Sequence, residues 1–317
     1  MVPSREDVEV VGFGIGAERV ARPDGPTGAR RLRTDGWRRR SLGGADRAAG
    51  EFEAGRAPNE YVAAHEGWGS TARFFASRLY LVDRVLGGCR PGRLLDVGCG
   101  PGVLVHRLLD DGPRGFDITA CDRSAAMVDA VVRTTLPGEK VQAVVASIED
   151  MPFADSEFDV VVALGVLEYA NCRGALREVH RVLRPGGTAV VTMLNPLSPY
   201  RLAEWFLYWP VLRWVGHLER IVGVPEDRRH GARRSGVRAV PARRLARLLS
   251  QAGLVPQEVV FYDVNFLVPP FDKLARRWSR RWRRSPERTL GRGWRRWLGT
   301  GYLVVARRPV VEGDRRS

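Results

Sequence analysis

The chain has 317 residues, 44% of them hydrophobic, which suits one large domain with insertions and a normal core. No apolar run approaches the ~18 residues of a membrane span, and the opening MVPSREDVEV lacks an apolar signal core, so a cytoplasmic protein is expected. The net charge of +15 admits nucleic acid or an anionic membrane as a partner, alongside a general compositional bias toward arginine.

Residues 1–55 are rich in Arg, Gly, Pro and Asp and are expected to be mostly disordered. Within them, Gly12-x-Gly14-x-x-Ala17 superficially fits a dinucleotide fingerprint. The following stretch has neither helical periodicity nor a second strand, so the motif lacks the context that gives it meaning.

From about Tyr61 apolar residues fall at helical spacing, including Phe74, Leu79, Val82, Val85 and Leu86, up to Gly87-Gly88. Short apolar strands then alternate with helices. Strands are predicted over 94–97, 117–121, 141–146, 158–164 and 188–193. Helices are predicted over 103–109, 125–133 and 173–183, the last stopped by Pro185-Gly186-Gly187. Strict alternation of β and α predicts an α/β, doubly wound parallel sheet. After Asn195 a long aromatic segment is expected to kink or split at Pro210. A further helix, a glycine stop and a strand follow, and TGYLVVARRP closes with a last strand.

The stretch LLDVGCGPG, Leu94 to Gly102, places glycine at 98, 100 and 102 directly after a strand. Glycine at this density lets something approach the backbone closely. There is no Gly-Lys-Ser/Thr end, which excludes a phosphate loop, and Val103 stands where a dinucleotide fingerprint needs glycine or alanine. Asp96, at the carboxyl end of the strand, disfavours a pyrophosphate and suits a ligand carrying a positive group; a cap on the next helix is its plain alternative. Asp122 ends the second strand in DITACDRS, where an acid is placed to take both hydroxyls of a ribose. An adenosine bearing an amino acid and a sulfonium fits both acids.

LLDVGCGPG, CDRSAAMV, SIEDMPFADSEFDVVVALGVLEYA and LREVHRVLRPGGTAVVT, in that order, resemble the motifs of class I S-adenosylmethionine-dependent methyltransferases of the small-molecule, ubiquinone and menaquinone type. The resemblance covers about Arg93 to Met193 well, and more loosely up to Arg307. It implies a Rossmann-like, seven-stranded, mostly parallel sheet with the last strand antiparallel, plus helical insertions, over residues 56–308. It implies S-adenosylmethionine as cofactor, with Gly98, Gly100 and Gly102 along its methionine and ribose part. Asp96 would support the amino group, Asp122 with Arg123 beside it would bind the ribose, and Ser147 and Ile148 would lie at the adenine. Many members carry Asp at the position of Ser147, which weakens the adenine amino contact or passes it to Glu149. The backbone carbonyl of Leu164 would face the methionine amine. Met127 and Val166 read equally as cofactor walls or plain core, and His180 as structural.

The resemblance also implies that catalysis needs mainly alignment, plus a base if the nucleophile carries a proton. O-methylation is expected. Candidate bases are His217, His230, Tyr169 and His65, each with a surface reading beside it. No metal is expected, because Cys89, Cys99, Cys121 and Cys172 show no CxxC pair and no metal spacing.

Two insertions bear on the acceptor. The segment 193–240 carries EWFLYWPVLRW, an aromatic cap expected beside the pocket mouth that would receive a hydrophobic small molecule. The segment 268–298 sets eleven basic residues between Lys273 and Arg296 against the single acid Glu287, and Leu274, Trp278 and Trp282 share a helical face. A basic helix with a tryptophan stripe suits peripheral contact with a membrane at its cytoplasmic face. It equally suits a stripe packed on the domain, or RNA phosphates, which leaves an RNA methyltransferase as the alternative function. Residues 309–317 read as a tail.

Overall fold

The structure, a computed structural model, describes residues 70–110, 115–136, 138–139, 141–225, 237–264, 286–291 and 293–310. The 1–55 extension with its Gly12–Ala17 motif, His65, His230, and most of 268–298 with Trp278 and Trp282 lie outside the described residues.

The first half runs α1 (Ser70–Leu86), β1 (Arg93–Val97), α2 (Val103–Asp110), β2 (Asp117–Asp122), α3 (Ala125–Thr134), β3 (Val141–Val145) and β4 (Phe158–Ala163). The second half runs α4 (Cys172–Val182), β5 (Leu183–Leu194), α5 (Pro199–Ala203), a π-helical turn (Glu204–Tyr208), α6 (Trp209–Ile221), α7 (Ala242–Gln251) and β6 (Val255–Val264). Two 3-10 turns (Pro286–Thr289 and Gly293–Leu298) lead into β7 (Gly299–Arg307). One sheet holds all seven strands in the order β3-β2-β1-β4-β5-β7-β6. Neighbours from β3 to β5 are parallel, and β7 enters antiparallel between β5 and β6. This is the doubly wound sheet with an antiparallel last strand that the alternation and the motifs lead one to expect.

Side-chain alternation along the central strands feeds two cores, one on each face. Leu94, Val160 and Val162 meet Leu81 and Val82 of α1 and Leu104 and Leu108 of α2. Leu95, Val97, Val161 and Ala163 meet Leu176 and Val179 of α4 and Leu245 and Leu249 of α7. Both faces being covered explains the nearly unbroken apolar runs of β1 and β4. A buried ion pair, Arg73 Nε to Asp263 Oδ1 at 2.6 Å, ties α1 to the far edge of the sheet.

Two elements differ from expectation. α4 ends at Val182 and β5 begins at once at Leu183, so Pro185-Gly186-Gly187 lies inside a strand rather than before one. The tract is tolerated because it forms an irregularity. Pairing with β4 jumps from Phe158↔Leu183 to Val160↔Thr188, Gly186 takes φ 81°, and its N–H donates to Arg308 O at 2.8 Å. The aromatic segment is also helical straight through Pro210. The register change falls just before the proline, in the π turn, where Trp209 N–H donates to Glu204 O five residues back.

Candidate active site

The chain leaves β1 through a turn that only glycine makes easily. Gly98, Gly100 and Gly102 have φ of 68°, 55° and 88°, in the left-handed region. The N–H groups of Gly98 and Cys99 both donate to Cys121 O, at 2.7 and 3.0 Å, which pins the turn to β2. A Cβ on Gly98 would lie 2.2 Å from Val166 Cγ2, so the loop after β4 closes on the bare backbone. At the end of β2, one Asp122 oxygen accepts from Gly100 N–H at 3.0 Å and the other from Ser124 N–H at 2.9 Å. Burial raises the Asp122 pKa, and these N–H groups hold it back.

A cavity of about 350 Å³ opens over this turn at the carboxyl ends of the central strands. Gly98, Gly100, Asp122, Arg123, Ser147, Ile148 and Leu164 all line it, as do Met127, Val166 and Glu149. Gly102 does not. Its missing side chain makes room for α3, since a Cβ there would stand 3.1 Å from Val131 Cγ2. Asp96 is not in the lining either. It sits below the turn, 2% exposed, and its Oδ2 has no hydrogen-bond partner. Burial and the neighbouring Asp122 charge push its pKa up to about 7, eased by Arg78. The Oδ2 oxygen is buried and unpartnered, so an opposite charge brought beside it would favour the ionised acid.

The other side of the cavity is charged and aromatic. Glu168, in the loop after β4, is 4% exposed and lines the cavity, and its Oε2 has no hydrogen-bond partner. Burial lifts its pKa to about 7, offset in part by backbone N–H groups of its own residue and Leu194 and by the charges of Arg78 and Arg201. Arg78 comes from α1, with its guanidinium 4.8 Å from the Phe75 ring centre. Arg201 comes from α5 and pairs with Glu204. Trp205 and Trp209 also line this part.

Of the candidate bases, Tyr169 alone among the described residues lines the cavity. His217 is exposed on α6 and outside the lining, its ring 2.8 Å from Arg220 Nη2. His180 packs where a Gly253 Cβ would lie 2.9 Å from its ring, away from the cavity. Residue-by-residue reading missed Glu168, Arg78 and Arg201. A signal was there for two of them: Glu168 is the one acid between Phe158-Asp159 and Ala170, and Arg78 interrupts an apolar helix face at i+4 from Phe74 and i−4 from Val82. Among the described residues, no group of three or more His, Cys, Asp and Glu side chains is placed to hold a metal.

Residues 95–191 match the family described as a methyltransferase domain. A malonyl-[acyl-carrier protein] O-methyltransferase of Pseudescherichia vulneris is 38% identical over 111 residues, 34% of this chain and 41% of the relative. A ubiquinone/menaquinone biosynthesis C-methyltransferase UbiE of Geotalea daltonii is 35% identical over 105 residues, 32% of this chain and 44% of the relative. The chain thus spans less than half the length of these curated relatives. Among solved structures, the fold matches a chain from the complex of the Haloferax volcanii Trm112 methyltransferase activator with a methyltransferase. That match has a TM-score of 0.50 and 16% identity, and covers 84% of this chain and 98% of that one. Residues 95–191 therefore carry the methyltransferase domain that the family model describes, and the fold is that of a solved methyltransferase chain.

Proposed function

We propose that this chain is an S-adenosylmethionine-dependent methyltransferase that O-methylates a hydrophobic small molecule carrying an acidic hydroxyl. The observation that carries the reading is one cavity lined by both the glycine turn and Glu168, a buried carboxylate with one unpartnered oxygen. S-adenosylmethionine, when bound, supplies a methyl group on a sulfonium, an electrophile that needs alignment more than activation.

The residues of the turn fit that cofactor. Asp122, fixed by two N–H donors, takes the ribose hydroxyls, with Arg123 alongside. The bare backbone of Gly98 and Gly100 gives close approach, and the open oxygen of Asp96 suits an ammonium, directly or through water. Ser147, Ile148 and Glu149 offer the adenine wall, and the Leu164 carbonyl a second contact for the amine. Gly102 acts from outside the cavity by seating α3.

On the acceptor side, Trp205, Trp209 and Tyr169 supply an apolar wall that excludes water. Glu168 Oε2 accepts the hydroxyl proton as the oxygen is methylated. A carboxylate lifted to about 7 is a far better base than an exposed one. The relatives include both an O- and a C-methyltransferase, and either chemistry sheds a proton that such a base can take. The RNA alternative rests on the basic face within 273–296, which lies largely outside the described residues, and nothing in the cavity favours it.

The test begins with calorimetric titration by S-adenosylmethionine and S-adenosylhomocysteine. Micromolar binding of both is expected, and binding of neither overturns the reading. A screen of hydrophobic phenols and quinols with mass analysis follows. Methyl ethers support O-methylation, and ring-methylated products overturn it.

A further inference from the structure

The exposed side of α6 is apolar. Leu207, Val211, Trp214, Leu218 and Ile221 recur at spacings of four and three residues, which places them on one helical face. With Phe206 and Val222 beside them, these side chains are between 46% and 81% exposed, and α6 buries no residue. Leu212, Val215 and Glu219, one position beyond stripe residues and so on the adjoining face, are half-buried. A continuous apolar stripe of this length is far more than the scattered exposed leucines of an ordinary surface.

Its surroundings are basic and aromatic. Arg213 and Arg220 are exposed on α6 itself. The 3-10 turn Gly293–Leu298 packs against α5, the short helix that leads into α6. It exposes Trp294 and Trp297, 70% and 52%, with Arg296 5.3 Å from the Trp297 ring centre. Arg295 lies in the same turn, beside Arg296. Trp205 and Trp209, at the start of the same helical run, line the cavity.

A second copy and a lipid surface can be compared as covers by their charge. Two copies would bring together basic flanks on a chain of net charge +15, which opposes self-association. An anionic bilayer matches both features at once. Tryptophan and leucine enter the acyl boundary, while arginines reach the phosphates with their charged ends.

We propose that α6, together with Trp294 and Trp297, docks the protein flat on an anionic lipid surface. A hydrophobic acceptor then enters the cavity past Trp205 and Trp209 from the bilayer side. The docking stands on the surface alone; the delivery rests on the acceptor reading above.

The test is co-sedimentation of the full chain with vesicles of phosphatidylcholine, with and without phosphatidylglycerol, at low and high salt. Binding is expected to anionic vesicles only, and to weaken as salt screens the arginines. The double variant Trp214→Glu, Leu218→Glu is expected to lose about tenfold or more in vesicle affinity, with melting temperature and S-adenosylhomocysteine affinity unchanged. The melting temperature serves as the folding control even if the cofactor reading fails. Three outcomes overturn the docking: no binding by the parent chain, equal binding by the double variant, or a parent dimer that the variant breaks and that ignores vesicles.

Discussion

The two sides of the cavity are built from different materials. The cofactor side is backbone: a turn of left-handed glycines, N–H groups fixing Asp122, and one acid beneath. The acceptor side is side chains, and they come from far apart in the chain: Arg78 from α1, Glu168 from the loop after β4, Arg201 from α5. A backbone site depends on conformations that few residues tolerate, so it fails abruptly when a side chain is added. A side-chain site depends on charge and fit, so it fails by degrees.

The sharpest break is on the backbone side. Gly98→Val places a Cβ 2.2 Å from Val166 Cγ2 at a φ of 68°. We expect a destabilisation of about 2–5 kcal/mol, from left-handed strain plus overpacking, and no detectable cofactor binding by calorimetry. Shortening the neighbour, with Gly98→Ala and Val166→Ala together, relieves the clash but not the strain. Partial recovery of stability in denaturant titration is the expected result. Full recovery would make the turn a packing feature only.

Next comes the acceptor side. Glu168→Gln keeps the shape and removes the base. With an acceptor in hand, kcat is expected to fall by about a hundredfold while S-adenosylhomocysteine affinity stays unchanged. The parent rate should rise with pH through about 7 as Glu168 ionises, and the variant should lose that rise. A variant with the parent pH profile would remove Glu168 as the base. On the cofactor side, Asp122→Ala strips a fixed carboxylate from the ribose position, and a loss of about tenfold in cofactor affinity is expected. Unchanged affinity would cancel the ribose assignment.

The contrast also explains what could be read in advance. The glycine turn, Asp96 and Asp122 lie within 27 residues of one another, each at a strand end marked by its own apolar run. Local spacing therefore carried the strands on either side of β1 and the residues that the fold gathers at the glycine turn. It did not carry the role of Gly102, because the contact with Val131 that excludes a side chain there is made by another helix. Nor did it carry the acceptor side. Glu168 stands next to Tyr169, and local chemistry cannot say that one Glu168 oxygen stays without a hydrogen bond once Leu194, Arg78 and Arg201 have gathered around it. The histidine His217 was attractive by residue type alone, and α6 turns it to solvent. The start of β5 was hidden because Pro-Gly-Gly ordinarily ends elements, and here it forms an irregularity stitched to Arg308.

The smallest expected effect is the most specific to Asp96. Its carboxyl is held at about 7 by burial and by Asp122, above the usual carboxylate range. A raised folded pKa means the ligand-free protein gains stability on the acid side and loses it as pH rises through about 7. A cationic group placed at the open oxygen reverses this, since opposite charge favours the ionised acid. Binding of S-adenosylhomocysteine, which keeps the amino group, should then release up to about one proton at pH below 7 and none well above it. Calorimetry in two buffers of different ionisation heat reads that number directly. Asp96→Asn should abolish the release and flatten stability across the same range. A release that persists in the variant would move the linked proton to another group. No release at any pH would mean that Asp96 supports the turn but does not face the amine, leaving the carbonyl of Leu164 as the amine's contact.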